Sequence, residues 1–327
     1  MHPILAGRNA AAIEELAQKL DLEARSFSLE DAAALDSALA DVRVVLHCAG
    51  PFAFTYLQMA EACLRTNTHY LDITGEIEVY QALHSMDAQA KAAGIMLLPG
   101  AGFDVAPSDC LAVHLKSRLP NAIHLALAFR GYGPACLSRG TARTSIENMG
   151  QPSSMRRDGA ITPVAHVSKS RQVDFGRGAV LVQRVKWGDV FTAYHSAGIP
   201  NIENYIAARP LLVFVLRIAR YVGWLLRLQI AKRLLTSIVQ LMPPGPTDKQ
   251  IEQSGSALWG EVVDAEGHRA VARLQGPEAY KFTALTSLEI ARRVLSGDAP
   301  PGYQTPASAY GPDWILDIEG VSREDVV

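Results

Sequence analysis

Residues with the chemistry to select a nucleotide stand near the start of the chain. Ile4-Leu5-Ala6 is a short apolar run with the character of a buried strand, and Gly7 ends it. Arg8 follows at the point where such a strand meets a cofactor ribose. Asn9 suits the cap of a helix whose Ile13, Leu16, Ala17 and Leu20 recur at helical spacing. In a dinucleotide-binding fold this position chooses the cofactor: an acid holds the ribose 2′-hydroxyl, whereas an arginine accepts a 2′-phosphate. Arg8 therefore points to NADP over NAD. The plainer alternative is a solvated arginine after a strand.

Three further segments end in a related way. Strand 42–48 (VRVVLHC) runs into Ala49-Gly50-Pro51-Phe52, and strand 69–72 runs into Ile73-Thr74-Gly75-Glu76. Strand 95–98 runs into Pro99-Gly100-Ala101-Gly102-Phe103-Asp104. In an open parallel sheet, ligands bind outside the carboxyl ends of the strands. Glycine at those ends lets the backbone approach a ligand closely. The last two ends also carry acids, Asp72, Glu76 and Asp104.

The elements that must position these residues alternate through the first hundred positions. Strands are predicted at 3–6, 24–27, 42–48, 69–72 and 95–98. Helices are predicted at 10–20, from a Ser28 cap with Asp31 to 39, at 54–66, and at 77–93 where Gly94 ends the run. Such alternation implies a parallel sheet covered on both faces, an α/β fold of the Rossmann type. Its opening βαβ unit needs about 30 residues. No G-x-G-x-x-G stands in a strand–turn–helix context, and only Met1, His2 and Pro3 precede the first apolar run. The pattern thus reads as a sheet missing its first strand: either the start lies downstream of the true one, or the phosphate cradle is lost.

After Pro107 the pattern changes to that of an α+β domain. We expect a helix capped by Ser108 to about 118, a strand at 123–129 and a long loop with one helix over 131–160. Strands follow at 180–182 and 188–194, then a hairpin of 258–263 and 270–274 about Glu266-Gly267, a helix at 282–296 and a loop-like end at 300–327. The expected division is a dinucleotide-binding domain of 1–110 joined by 283–327, and a substrate or oligomerisation domain of 111–282. Between Glu203 and Asp248 there is no acid. Arg209, Arg217, Arg220, Arg227 and Lys232 share roughly 140° of one helical face. This basic amphipathic region, 204–242, has three readings: a helix capping the second domain, a homodimer or partner surface, or a peripheral contact with anionic lipid.

The net charge of −2 argues against general nucleic-acid binding. Cysteines 48, 63, 110 and 136 have no C-x-x-C spacing and no histidine pair beside them, so no metal site is expected. They read as reduced thiols of a cytoplasmic protein, Cys48 and Cys63 on buried elements.

LAGRN, VVLHCAGPF, HYLDITGE and PGAGFDVAPSD, in this order and spacing, resemble the cofactor domain of saccharopine-dehydrogenase-like oxidoreductases. The nearest branch is that of the bacterial trans-acting enoyl reductases. The resemblance is specific over residues 4–110 and continues to TALTSLEIARRVLSGDAPPGYQTPA at 283–307. It implies an NADP-linked oxidoreductase acting on a small carbonyl, imine or enoyl compound. The alternative is a non-catalytic interaction protein that retains the fold without the phosphate loop. By resemblance, Gly7, Arg8 and Asn9 are adenosine-side contacts, and Ala49, Gly50, Pro51 and Phe52 lie beside the nicotinamide ribose. A tight turn with Phe52 buried is the other reading of the latter. Asp72, Thr74 and Glu76 either orient the nicotinamide end or begin a capped helix. Gly102 and Phe103 form the junction to the substrate domain, with Asp104 as candidate acid/base and Asp109 as an early-helix charge. His195, beside Tyr194 and Ser196, is the histidine considered for the substrate pocket, whereas His47 reads as a packed strand residue. Arg139, Arg143, Arg156 and Arg157 either neutralise an acidic substrate or form a solvated face.

Overall fold

The computed structural model describes residues 2–135, 138–142, 153–164, 169–207 and 245–326, with 237, 239, 240 and 243 between. The chain opens with β1 (Ile4–Gly7), α1 (Ala10–Leu20), β2 (Glu23–Ser26), α2 (Ala32–Leu39), β3 (Val44–His47) and a 3-10 turn (Phe52–Phe54). It continues through α3 (Tyr56–Thr66), β4 (His69–Asp72), α4 (Ile77–Ser85), α5 (Asp87–Ala93) and β5 (Met96–Leu98). Next come α6 (Ala106–Arg118), β6 (His124–Tyr132), β7 (Ser153–Arg157), β8 (Ala160–Val164), β9 (Ser170–Asp174), β10 (Ala179–Val185), α7 (Asp189–Ala197) and β11 (Asn201–Ala207). Then follow α8 (Asp248–Glu252), β12 (Gly255–Val263), β13 (Arg269–Pro277), α9 (Ala279–Leu295), β14 (Gly302–Tyr303), α10 (Pro306–Tyr310), a 3-10 turn (Trp314–Asp317) and β15 (Ser322–Asp325).

Two units result. The first comprises Met1–Ala101 with Ser287–Gln304, the second Gly102–Thr286 with Thr305–Val327. Residues 305–327 thus cluster with the second unit, not with the cofactor domain as expected, because β15 pairs antiparallel with β13.

In the first unit every expected strand forms, and every pairing is parallel: β1 with β2, and β14-β5-β4-β3 in that order. Among the described residues these two ladders share no hydrogen bonds. Tyr70, Leu71, Met96, Leu97 and Leu98 are fully buried, the near-continuous apolar run of strands covered on both faces. Helix α3 turns Met59, Ala60, Ala62 and Cys63 inward. The α/β class read from the sequence holds.

The second unit is built on a nine-stranded sheet among the described residues, ordered β15-β13-β12-β6-β11-β10-β9, with β7 on β11 and β8 on β7. Only the β6–β11 pair within it is parallel. Helices α6 and α7 pack on one face, where a side chain at Gly260 would meet Leu115 and Leu111. The 258–263 and 270–274 hairpin is present and longer than expected, with Gly267 at φ +87° in its turn.

Several expectations are corrected. The cap of α2 is Asp31, which accepts from Ala34 N at 3.0 Å, whereas Ser28 accepts locally from Glu30 N. The 77–93 helix is two helices, broken at Met86, and Asp87 of the second accepts from Tyr303 N at 2.9 Å. Ser108 does not cap α6, which begins two residues earlier; its hydroxyl donates to Val105 O. The strand predicted at 188–194 is α7, with Val190, Ala193 and Ala197 on one helical face and Gly198 (φ +67°) closing it. The 131–160 loop contains β7, and the 300–327 end contains β14, α10 and β15. Cys48 is exposed, whereas Cys63 is buried as expected. Segment 204–242 lies almost wholly outside the described residues, and its first four positions end β11 rather than starting a helix. No helix among the described residues is long and apolar enough to cross a membrane.

Candidate functional site

In the first unit the loops leaving β3, β4 and β5 are tied into one network by two carboxylates. Asp72, the last residue of β4, is fully buried. Its Oδ1 accepts from Thr74 N and Gly100 N, both at 2.9 Å, and its Oδ2 accepts from Tyr70 OH at 2.7 Å. Its backbone oxygen accepts from Ala101 N at 2.7 Å. Burial raises the Asp72 carboxyl to about 6 despite these donors. Glu76 then reaches across to the β3 loop, its two oxygens accepting from Phe52 N and Ala53 N at 2.9 Å each. Thr74 Oγ1 accepts from Glu76 N at 3.1 Å, and Tyr80 OH donates to Thr74 O at 2.5 Å.

His47 anchors the same loop from within β3. Its Nε2 meets Thr55 Oγ1 at 3.0 Å, and that hydroxyl donates to Ala49 O at 2.6 Å. The Thr55 proton being committed to the carbonyl, Nε2–H is the donor. Burial holds His47 down at about 4, so it is neutral at physiological pH. Phe52 packs edge-on against the His47 ring at 5.7 Å. Cys48, Ala49 and Gly50 remain exposed at the strand's carboxyl end.

At the end of β1, a Cβ added to Gly7 would stand 2.9 Å from Ile13 Cδ1, so the strand lies close against α1 and a larger residue here would have to displace that side-chain end. Asn9 accepts from Ala12 N at 3.3 Å as the α1 cap. Arg8 is exposed and has no acidic partner among the described residues.

The second unit begins at Gly102. Phe103 lies among Phe129 (6.4 Å) and Phe282 (6.0 Å), and Phe129 stacks on Trp187 at 4.6 Å. Asp104 as a residue is partly exposed, yet its Oδ1 is closed to solvent and burial raises its carboxyl to about 7. Asp109, expected as an early-helix charge, is fully buried. It accepts from Ser196 Oγ at 2.5 Å and Ala307 N at 2.8 Å. Asp189, at the start of α7, is buried too, and both Asp104 and Asp109 push its carboxyl further up. His195 is exposed on the last turn of α7, with its ring 4.4 Å from Phe191.

Residues 2–98 match the saccharopine dehydrogenase NADP binding domain. The saccharopine dehydrogenase-like oxidoreductase of Bos taurus is 24% identical over 334 residues, covering 87% of this chain and 77% of that protein. The human protein of the same name is 26% identical over 335 residues with the same coverage. The NADP-binding domain match thus spans the first 98 residues, and the likeness to saccharopine dehydrogenase-like oxidoreductases extends over most of the chain. The trans-acting enoyl reductase of Mycobacterium leprae (strain TN) is 32% identical over 123 residues, 35% of this chain and 29% of that protein. Apo histidine-tagged saccharopine dehydrogenase (L-Glu forming) from Saccharomyces cerevisiae shares the fold, with TM-score 0.67 and 15% identity over 99% of this chain and 94% of that one.

Gly7–Asn9, Ala49–Phe52, Asp72, Thr74 and Glu76 all fall within the matched span 2–98 and share the first unit. Gly102, Phe103, Asp104 and His195 belong to the second. Asp189 is hidden in the sequence because its segment reads as a strand, and Ser196 is legible there only as a neighbour of His195. The helical spacing of Val190, Ala193 and Ala197 before Gly198 was the available signal.

The buried acids set the direction of the protein's pH response. An Asp104 carboxyl near 7 in the fold and near 3.8 when unfolded keeps a proton in the native state that the unfolded chain releases. Its contribution is thus most favourable below about pH 4 and is lost as pH rises toward 7. Urea unfolding of the wild type should show stability falling by about 2–3 kcal/mol between pH 5 and 7.5 from this group, an order-of-magnitude figure. Asp104→Asn should flatten the profile by that amount. An unchanged profile removes Asp104 as its source.

Proposed function

We propose that the protein is an NADP-dependent oxidoreductase acting on a small carbonyl, imine or enoyl compound. The observation that supports this most is the hydrogen-bonded joining of three parallel strand ends through Asp72 and Glu76. This fixes the loops where such sheets bind ligands and leaves the Ala49–Gly50 backbone exposed there. The residues fit the nucleotide: an exposed arginine without an acidic partner among the described residues stands at the cofactor-selecting position, after a glycine pressed on α1. Arg8 would hold the 2′-phosphate, and Gly7 and Asn9 the turn beneath it. Ala49, Gly50, Pro51 and Phe52 would line the nicotinamide ribose. When bound, NADP supplies the hydride, so the protein's work is placement and protonation.

In that reading Asp104 is the proton donor or acceptor. A carboxyl raised to about 7 is near half-protonated at neutral pH, the condition in which an acid/base group works best. Gly102 and Phe103 connect it to the end of β5. The partial likeness to enoyl reductases favours a conjugated carbonyl among the candidate substrates. His195, exposed on α7, is the alternative proton carrier.

The test is a titration of the full chain with NADPH and NADH, followed by nicotinamide fluorescence. Tighter NADPH binding is expected. Failure to bind either nucleotide removes the oxidoreductase reading and favours a non-catalytic interaction protein.

A further inference from the structure

The second unit's sheet has a face turned away from α6 and α7. Ala128, Val182, Tyr205 and Trp259 form an apolar cluster on it. Beside this cluster lies a cavity of about 550 Å³, floored in part by Ala126, Met155 and Val263. Four cations line it, Arg157, Lys169, Arg171 and Arg184, against two acids, Glu203 and Glu261.

The acids are matched from within the protein. Glu203 takes Lys169 at 2.6 Å and Arg184 at 2.8 Å, and Glu261 takes Arg171 at 2.9 Å. Arg157 has no acidic partner among the described residues; its guanidinium reaches only Met155 Sδ, at 3.9 Å. Two positive charges are left over. Two of the cations are also held in place. Arg171 lies 4.7 Å above the Trp259 ring, and Arg184 touches Met155 Sδ at 3.7 Å. Neighbouring Arg156 serves the opposite face, donating to Val190 O at 2.6 Å and lying 3.9 Å over the Tyr194 ring. The two adjacent arginines therefore have different tasks, and Arg157 is the one turned to the cavity.

A cavity of this volume suits a small molecule. Excess positive charge beside an apolar floor is complementary to a compact dianion with a short apolar body, and the anchored Arg171 and Arg184 lower the cost of ordering side chains around it. We infer that this cavity binds a small dianion, a phosphate monoester or a dicarboxylate, with Arg157, Lys169 and Arg171 as its charged contacts. The inference is independent of the cofactor reading.

Thermal melts and titration calorimetry of the full chain test it, with inorganic phosphate and succinate as probes and chloride at matched ionic strength as reference. One or both probes should raise the melting temperature above the chloride value; a response to phosphate alone assigns a phosphate monoester, and to succinate alone a dicarboxylate. Arg157→Ala, which breaks no internal ion pair, should melt normally without ligand and bind the probe about tenfold or more weakly. Lys169→Ala should weaken it too, whereas Arg8→Ala should not. Stabilisation equal to that of chloride overturns the proposal. So does binding lost in Arg8→Ala and kept in Arg157→Ala, which places the anion on the nucleotide-selecting arginine.

Discussion

Arg8→Ala is expected to weaken NADPH binding by roughly 10- to 150-fold and to leave NADH binding nearly unchanged. The range corresponds to about 1.5–3 kcal/mol for a hydrogen bond to a charged group. Arg8 is exposed, at the end of β1, and no carboxylate among the described residues competes for it. Its loss removes a contact that NADH, lacking the 2′-phosphate, never makes. Arg8→Lys should fall between, since lysine keeps the charge without the planar fork or the capacity to stack on adenine. Calorimetric titration of the three proteins with both nucleotides is decisive. Equal losses for NADPH and NADH would take Arg8 out of the phosphate role.

The largest stability effect is expected at Asp109. Its two oxygens, fully buried, receive the part-buried Ser196 hydroxyl and the buried Ala307 amide. These bonds join α6 to α7 and to α10, three elements brought together from distant parts of the chain. Asp109→Ala leaves the buried Ala307 amide without an acceptor, at about 1–3 kcal/mol, and leaves the Ser196 hydroxyl only Thr192 O, at about 0.5–1.5 kcal/mol for the lost bond, so a loss of about 1.5–4.5 kcal/mol is expected in urea unfolding. Asp109→Asn keeps one acceptor oxygen and should lose less. A loss below about 1 kcal/mol for the alanine variant would show that the junction is held by packing alone.

What the sequence made legible is the part governed by local pattern. The strands of the first unit read as short apolar runs with glycine after them, and their register needs no partner from far away. The turn chemistry of Gly7, Asn9 and Gly94 is local as well. What stayed hidden depends on tertiary partners. Glu76 looks like a helix-start charge, and only the fold shows it gripping the Phe52 and Ala53 amides. Asp109 at the start of α6 has the sequence signature of a dipole-facing acid, yet it is buried by residues about 90 and 200 positions away. The strand predicted at 188–194 failed because Val, Phe, Thr and Tyr favour strands intrinsically, whereas their helical spacing decided the outcome. The two-residue β14 is too short for any periodic signal and exists because β5 offers it an edge.

That last pairing has a cost in time. Gly302 lies opposite Met96, so β5 must wait for about 200 further residues before its second edge is covered. At ordinary synthesis rates of about 5–20 residues per second, the delay is roughly 10–40 seconds. Through that interval a strand of three fully buried apolar residues, Met96, Leu97 and Leu98, has one ladder open to any other chain. Chains halted on the ribosome short of residue 300 should accordingly be cut by protease near 96–98, where the finished protein resists. The stretch Ser287–Gln304, read in the finished fold as a short return to the first unit, acts during synthesis as its closing latch.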